Sequence, residues 1–258
     1  MTTNQTTTKG SLETALSDIR SYDVLLFDLD GVLTQTDKMH RKAWQAMFDE
    51  YFAKQGLEPF EESDYFNYLD GKPRAQGVQS VLESRGVSLP FGEATDAPSP
   101  HTVNGLANRK NECFLEAIQE GVEPYAGSEA LLRAIKAAGR TRMGVVTSSN
   151  NGPIVLEKSN LAHYFDLVLD GNVARAHALK GKPAPDTYLY ACEQLGETPD
   201  KAAIFEDAVS GVQSGDAGRF AQVVGVNRGV GAQKLMDNGA TCVVDDLGEL
   251  AEALDGNW

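Results

Sequence analysis

Two apolar grammars divide the chain. Short uninterrupted apolar runs occur at 24–27 (VLLF), 143–146 (MGVV), 167–169 (LVL) and 202–205 (AAIF), each followed at once by polar residues, and two weaker runs lie at 223–226 and 242–244. Runs this short, bounded by turn-forming residues, read as strands buried on both faces. Between them, apolar positions three and four apart predict helices over 128–138, 154–161, 187–195 and 209–217. Strands alternating with such helices form βαβ units and a parallel sheet. The expected core is therefore a doubly wound α/β sheet, which binds ligands beyond the carboxyl ends of its strands.

The second grammar covers 36–120, where helical periodicity at 39–52, 64–69, 75–82 and 104–118 has no strand-like run between its segments. Residues 89–101, with three prolines and little apolar content, read as a long loop. This organisation predicts a discontinuous core at 21–36 and 121–258, interrupted by an α-helical cap at 37–120. A tail and short amphipathic helix (12–19) precede the core, and 246–258 reads as a closing helix and tail. A cap that closes over the strand ends needs hinges, expected near 34–38 and 121–124.

Composition narrows the function. Among 258 residues, 37 acidic side chains against 23 basic ones leave a net charge of −14. Nucleic-acid binding is not expected, because neutralising phosphates takes clustered Lys and Arg. Cys113, Cys192 and Cys242 are odd in number and lack C-x-x-C spacing, which argues against a disulfide framework or zinc knuckle and for a reducing compartment. Residues 1–11, Thr-rich with one Lys, match neither a signal peptide nor a membrane anchor. A cytoplasmic monomer with no membrane partner is the expectation.

Four polar clusters follow the strand-like runs. Asp28 and Asp30, two apart on an extended strand end, project to the same side; one carboxylate could attack phosphorus while the other moves protons. A plain Asp/Gly turn is the alternative. Thr147, Ser148, Ser149, Asn150 and Asn151 offer hydroxyls and backbone N–H groups suited to phosphate oxygens, or an ordinary helix N-cap ahead of Pro153. In GKPAPD (181–186) two prolines stiffen the chain around Lys182, whose ammonium could offset phosphoryl charge or simply be solvated. Glu206 and Asp207 could hold Mg²⁺ through oxygen together with Asp28, or be surface charge.

Taken together, FDLDGVLTQTD, VVTSSNNGP, GKPAPD and FEDAVSG resemble, in order, the four motifs of the haloacid dehalogenase superfamily, over roughly residues 22–229. Asp30 points to phosphoryl transfer, since the dehalogenases themselves lack it. Within that superfamily the chain is most similar to the β-phosphoglucomutases. His40 and Trp44 in DKMHRKAW, Gly71 and Arg74 in DGKPR, Arg109-Lys110-Asn111, and SSNNGPIVLEKSNL carry that similarity.

The resemblance implies that Asp28 takes the phosphoryl group, Asp30 shuttles protons, and Thr147 and Lys182 bind the transferring phosphate. Mg²⁺ would sit between Asp28, the Asp30 carbonyl, Glu206 and Asp207. Arg74, Ser149, Asn150 and Asn151 would hold a second, non-reacting phosphate, with Ser148 beside them, and His40 would steady Asp30. Trp44, Gly71 and Lys110 complete the set expected to face a sugar phosphate. Asn150 and Asp70 stand where the resemblance leads one to expect lysines, with Lys72 and Lys110 the basic residues available to compensate. The implied reaction converts β-glucose 1-phosphate to glucose 6-phosphate. A sugar-phosphate or other small phosphomonoester phosphatase is the alternative. A non-catalytic phospho-accepting domain is the remote one, since it has no need of an ~85-residue insertion.

Overall fold

The computed structural model describes residues 19–69 and 72–254. The predicted helix at 12–19 therefore lies outside the described residues except for Ile19, as do Asp70, Gly71 and the tail from 255.

Six strands form one all-parallel sheet in the order β3-β2-β1-β4-β5-β6. They are β1 (Val24–Phe27), β2 (Arg142–Val146), β3 (Leu167–Leu169), β4 (Ala202–Glu206), β5 (Gln222–Val226) and β6 (Cys242–Val244). β1 is central: Phe27 aligns with Val145 of β2 on one side and Phe205 of β4 on the other. Its residues are buried on both faces, which explains the unbroken apolar run. Leu25 and Phe27 join one core cluster and Val24 and Leu26 the other. The chain leaves β1 for β2 and β3, then returns to the far side of β1 with β4. That reversal of strand order places a ligand crevice at the carboxyl ends of β1 and β4.

The crossover from β1 to β2 carries the insertion. It contains α1 (Thr36–Gln55), a single helical turn at Glu62–Asp64 running into a π-turn at Tyr65–Leu69, α2 (Arg74–Ser84) and α3 (Val103–Ala117). These elements have their own apolar cluster, in which Phe48 stacks on Trp44, Phe52 and Phe60 at centroid separations of 5.7, 5.3 and 5.2 Å. Residues 89–101 form the predicted loop, and Asn104 and Asn108 strap it to α3 through the carbonyls of Phe91, Gly92, Ala94 and Asp96.

After α4 (Ala126–Ala138) and β2 come α5 (Gly152–Lys158), α6 (Gly171–Ala176), α7 (Asp186–Gln194), α8 (Val209–Ala217), α9 (Ala232–Asp237) and α10 (Gly248–Leu254). The helix predicted over 154–161 is displaced. It starts two residues early because Pro153 sits in its first turn, where a missing N–H costs nothing, and it has ended before Asn160, whose φ is +57°. Cys192 and Cys242 are buried and all three cysteines are free. Among the described residues, no helix is long and apolar enough to cross a membrane.

The two connections of the insertion run side by side. Gln35 N donates to Glu123 O at 3.1 Å and Tyr125 N to Leu33 O at 3.0 Å. The hinge expected at 34–38 is shorter than its sequence suggests, because α1 already begins at Thr36.

Candidate functional site

The register of the sheet builds the site. Phe27 and Phe205 are aligned across β1 and β4 and stack at 4.4 Å, so the next residues, Asp28 and Glu206, emerge together at the crevice. Asp28 N donates to Phe205 O at 3.0 Å, which fixes its height. Lys182 enters from the loop before α7, and its ammonium donates to Asp28 Oδ1 at 2.6 Å and Val146 O at 3.0 Å. It lies 2.5 Å from Glu206 Oε1, which also accepts from the Tyr188 hydroxyl at 2.8 Å. All four side chains are buried.

Burial raises the Asp28 carboxyl most, Glu206 and Asp30 add to it, and Lys182 only partly opposes them, so the group is pushed up to about 8. Lys182 would lose its proton more readily through burial, but Asp28 and Glu206 reverse this and hold it above the ordinary lysine value. Two buried carboxyl groups thus share one ammonium. Asp28, Glu206 and Asp207 each bring a carboxylate oxygen within 4.8 Å of the others. Gly31, at φ +88°, leaves the room for this, since a Cβ there would overlap Asp207 Oδ2. An all-oxygen, anionic donor set of this kind suits a hard divalent cation.

Asp30 faces a different set of groups. It accepts from the Thr36 hydroxyl, which lies 2.7 Å from Thr34 Oγ1. Thr36 has one proton and gives it to Asp30, and the Thr34 hydroxyl is shared between Thr36 Oγ1 and the Leu29 carbonyl at 3.3 Å. On the other side His40, from α1, holds Nε2 3.4 Å from Asp30 Oδ1. Its Nδ1 lies 2.5 Å from Lys110 Nζ. With Lys110 as the donor, Nδ1 accepts and a neutral His40 carries its proton on Nε2, facing Asp30. Burial and then Lys110 lower the His40 proton affinity, which favours the neutral ring. Burial raises the Asp30 carboxyl, but His40, Thr36 and Lys110 outweigh it and hold it below the usual carboxylate value. With no cation at the carboxylates, Asp28 therefore holds its proton more tightly than Asp30 does.

The loop after β2 is organised by its own hydroxyls. Ser149 N donates to Thr147 Oγ1 at 3.0 Å and Asn151 N to Ser149 Oγ at 3.1 Å. Asn151 Nδ2 reaches Asn111 Oδ1 of α3 at 2.8 Å, joining core to insertion, while Ser148 is exposed. Arg74 opens α2 and bonds Ala107 O at 3.5 Å. Trp44 is a packing residue of the helical cluster, with the Lys110 ammonium 4.9 Å over its ring. A cavity of about 480 Å³ runs from Lys182 between Phe66 and Lys72 of the insertion and Val209, Gln213 and Lys234 of the core.

Three contributors lie outside the candidate residues read from the motifs: Thr34, Thr36 and Tyr188. The threonines carry the one available signal, a T-x-T just after D-x-D. Tyr188 reads as a core position of its helix, and its hydroxyl is revealed only by packing.

A family model described as a haloacid dehalogenase-like hydrolase matches residues 22–218. A protein named β-phosphoglucomutase from Mycobacterium bovis is 47% identical over 87% of this chain and 90% of its own length. A fructose-1-phosphate phosphatase of Escherichia coli is 31% identical over 76% of this chain and 92% of its own. The crystal structure of a β-phosphoglucomutase from Clostridium difficile, 22% identical, superposes with a TM-score of 0.72 over 91% of this chain and 97% of that one. With paired aspartates after the first strand, a buried lysine and an acidic pair after the fourth, on a doubly wound sheet with an inserted helical cap, the chain belongs to the haloacid dehalogenase-like hydrolases.

Proposed function

We propose that this protein is a Mg²⁺-dependent β-phosphoglucomutase, acting as a monomer in the cytoplasm and converting β-glucose 1-phosphate to glucose 6-phosphate through an aspartyl phosphate on Asp28. One observation carries the reading: His40, from the inserted helices, lies on Asp30, while Lys182, from the core, lies on Asp28. A residue of the insertion thus touches the proton-transfer group, which ties the chemistry to a closed cap that excludes water. The mycobacterial relative supports the same substrate.

In this reading residues 37–120 move as the cap. Phospho-Asp28 passes its phosphoryl group to O6 of the sugar while Asp30, ionised in the free protein, accepts the O6 proton. The bisphosphate turns over, Asp28 attacks the phosphorus at O1, and Asp30 returns its proton to the departing O1. Lys182 and the Thr147 hydroxyl hold the phosphoryl oxygens, where charge accumulates during transfer. Asp28, Glu206, Asp207 and the Asp30 carbonyl would hold Mg²⁺, which supplies charge neutralisation for the carboxylates and phosphoryl oxygens. Its presence would favour the ionised Asp28 needed for attack.

The test is conversion of β-glucose 1-phosphate by pure protein with Mg²⁺ and a trace of β-glucose 1,6-bisphosphate, with D28N as the control. Glucose 6-phosphate formation that D28N abolishes supports the proposal. No conversion by the unmodified protein refutes it. A phosphatase is the second reading, favoured by the Escherichia coli relative; there water attacks phospho-Asp28 and inorganic phosphate is the product.

A further inference from the structure

The short helix α6, which follows β3, carries a cation that motif reading does not identify. The start of α6 packs tightly on the loop after β2: Gly171 N donates to Ser149 O at 2.9 Å, and a Cβ on Gly171 would overlap Asn150 Oδ1. Asn172 Nδ2 donates to Asn150 O at 3.0 Å. This contact brings Arg175 to Asn150, with Nη2 donating to Oδ1 at 3.2 Å and Nη1 to Asn172 Oδ1 at 3.4 Å. Across from it, half-buried Arg74 has its hydrogen bond to Ala107 O. Among the described residues, neither guanidinium is paired with a carboxylate. Burial first and the Arg175 charge second pull the Arg74 proton affinity down to about 10, so the two cations share one region. Like charges so placed favour an anion between them.

The two lysines available to offset Asn150 are engaged elsewhere. Lys72 Nζ bonds Ser80 Oγ at 3.1 Å, and Lys110 Nζ is buried against His40. We propose that Arg175 is a specificity-determining residue that, with Arg74, Ser149 and Asn150, binds the non-reacting phosphate of a bisphosphorylated sugar, supplying from α6 the charge that a lysine at 150 would supply. The assignment rests on the mutase reading above. A guanidinium suits the role because its planar fork meets two phosphate oxygens at once.

The experiment is isothermal titration with β-glucose 1,6-bisphosphate and, separately, with inorganic phosphate. All proteins carry D28N so that the bisphosphate is not consumed. D28N is compared with D28N/R175Q and D28N/R175Q/N150K. R175Q is expected to weaken bisphosphate binding about ten- to hundredfold, the loss of one charge-assisted contact, with inorganic phosphate affinity changed less than twofold. N150K is expected to restore most of the loss, which a purely structural role for Arg175 would not permit. Three results overturn the assignment: equal bisphosphate affinity in D28N and D28N/R175Q, loss without rescue by N150K, or a D28N protein that binds bisphosphate no better than phosphate. Failure of the mutase reading is read separately, from absent turnover of β-glucose 1-phosphate by the unmodified protein, and leaves the titration just as decisive for Arg175.

Discussion

Replacing Lys182 by Met keeps most of the side-chain volume and removes only the ammonium, so its effect isolates the charge. That ammonium lies 2.6 Å from Asp28 and 2.5 Å from Glu206. With an effective dielectric of about 20, each contact is worth about 6 kcal/mol of raw attraction. The net loss is smaller, because much of that attraction only offsets the cost of burying the charges; breaking one partner out of a buried ionic set costs about 3–5 kcal/mol. At roughly 2–4 °C per kcal/mol for a chain of this size, the melting temperature should fall by about 6–20 °C. The sign with pH follows from Asp28. Its folded value, about 8, lies above the unfolded 3.8, so below pH 8 the carboxyl is largely neutral and its attraction to Lys182 is reduced. The destabilisation by K182M should therefore be larger at pH 9 than at pH 6. Turnover should fall about 10²–10³-fold, as when a charge-stabilising donor is removed. Thermal melts at the two pH values and a coupled assay of glucose 6-phosphate formation check both effects. A variant that melts within 2 °C of the parent at pH 9 and keeps its turnover would refute the role given to this lysine.

Three further outcomes are expected. T36V removes the hydroxyl that donates to Asp30; losing a hydrogen bond to a charged group costs about 1.5–3 kcal/mol, and kcat should drop at least tenfold with KM nearly unchanged, whereas an unaltered kcat would show that Thr36 does not position Asp30. K110M replaces a buried ammonium, lowered well below the usual lysine value by burial and by Arg74, with an apolar side chain of similar length; melting temperature should hold or rise and the His40 proton affinity should rise, so a destabilised variant or an unshifted His40 resonance on NMR titration would contradict the placement. Mg²⁺ binds ionised carboxylates, so its stabilisation of the protein should grow from pH 6 to pH 9 as Asp28 loses its proton; a melting shift independent of pH would argue against Asp28 as a ligand.

Much of the sheet was readable because strands buried on both faces leave unbroken apolar runs, as VLLF at β1 does, and because the polar residues that follow mark the carboxyl ends. Strand order was not readable, since it depends on which runs become neighbours in space. The six-residue helices α6 and α9 are too short to show periodicity; α6 is held by Asp170, whose carboxylate accepts from Asn172 N and Val173 N. Arg175 sits on that helix and reads in sequence as ordinary surface charge; only the packing of α6 on the Asn150 loop gives it a direction. α1 begins three residues before its apolar pattern does, because Thr36 and Asp37 carry no apolar signal, yet Thr36 is the hydroxyl that bonds Asp30. Motif residues were legible where chemistry fixes residue type, and their partners were not where geometry alone recruits them.

The central claim is that phospho-Asp28 delivers its phosphate to a sugar hydroxyl rather than to water. A ³¹P NMR time course with Mg²⁺, β-glucose 1-phosphate and a trace of β-glucose 1,6-bisphosphate measures both fates in one tube. The account predicts that the β-glucose 1-phosphate resonance is replaced by those of glucose 6-phosphate with little inorganic phosphate; dominant inorganic phosphate without glucose 6-phosphate would contradict it.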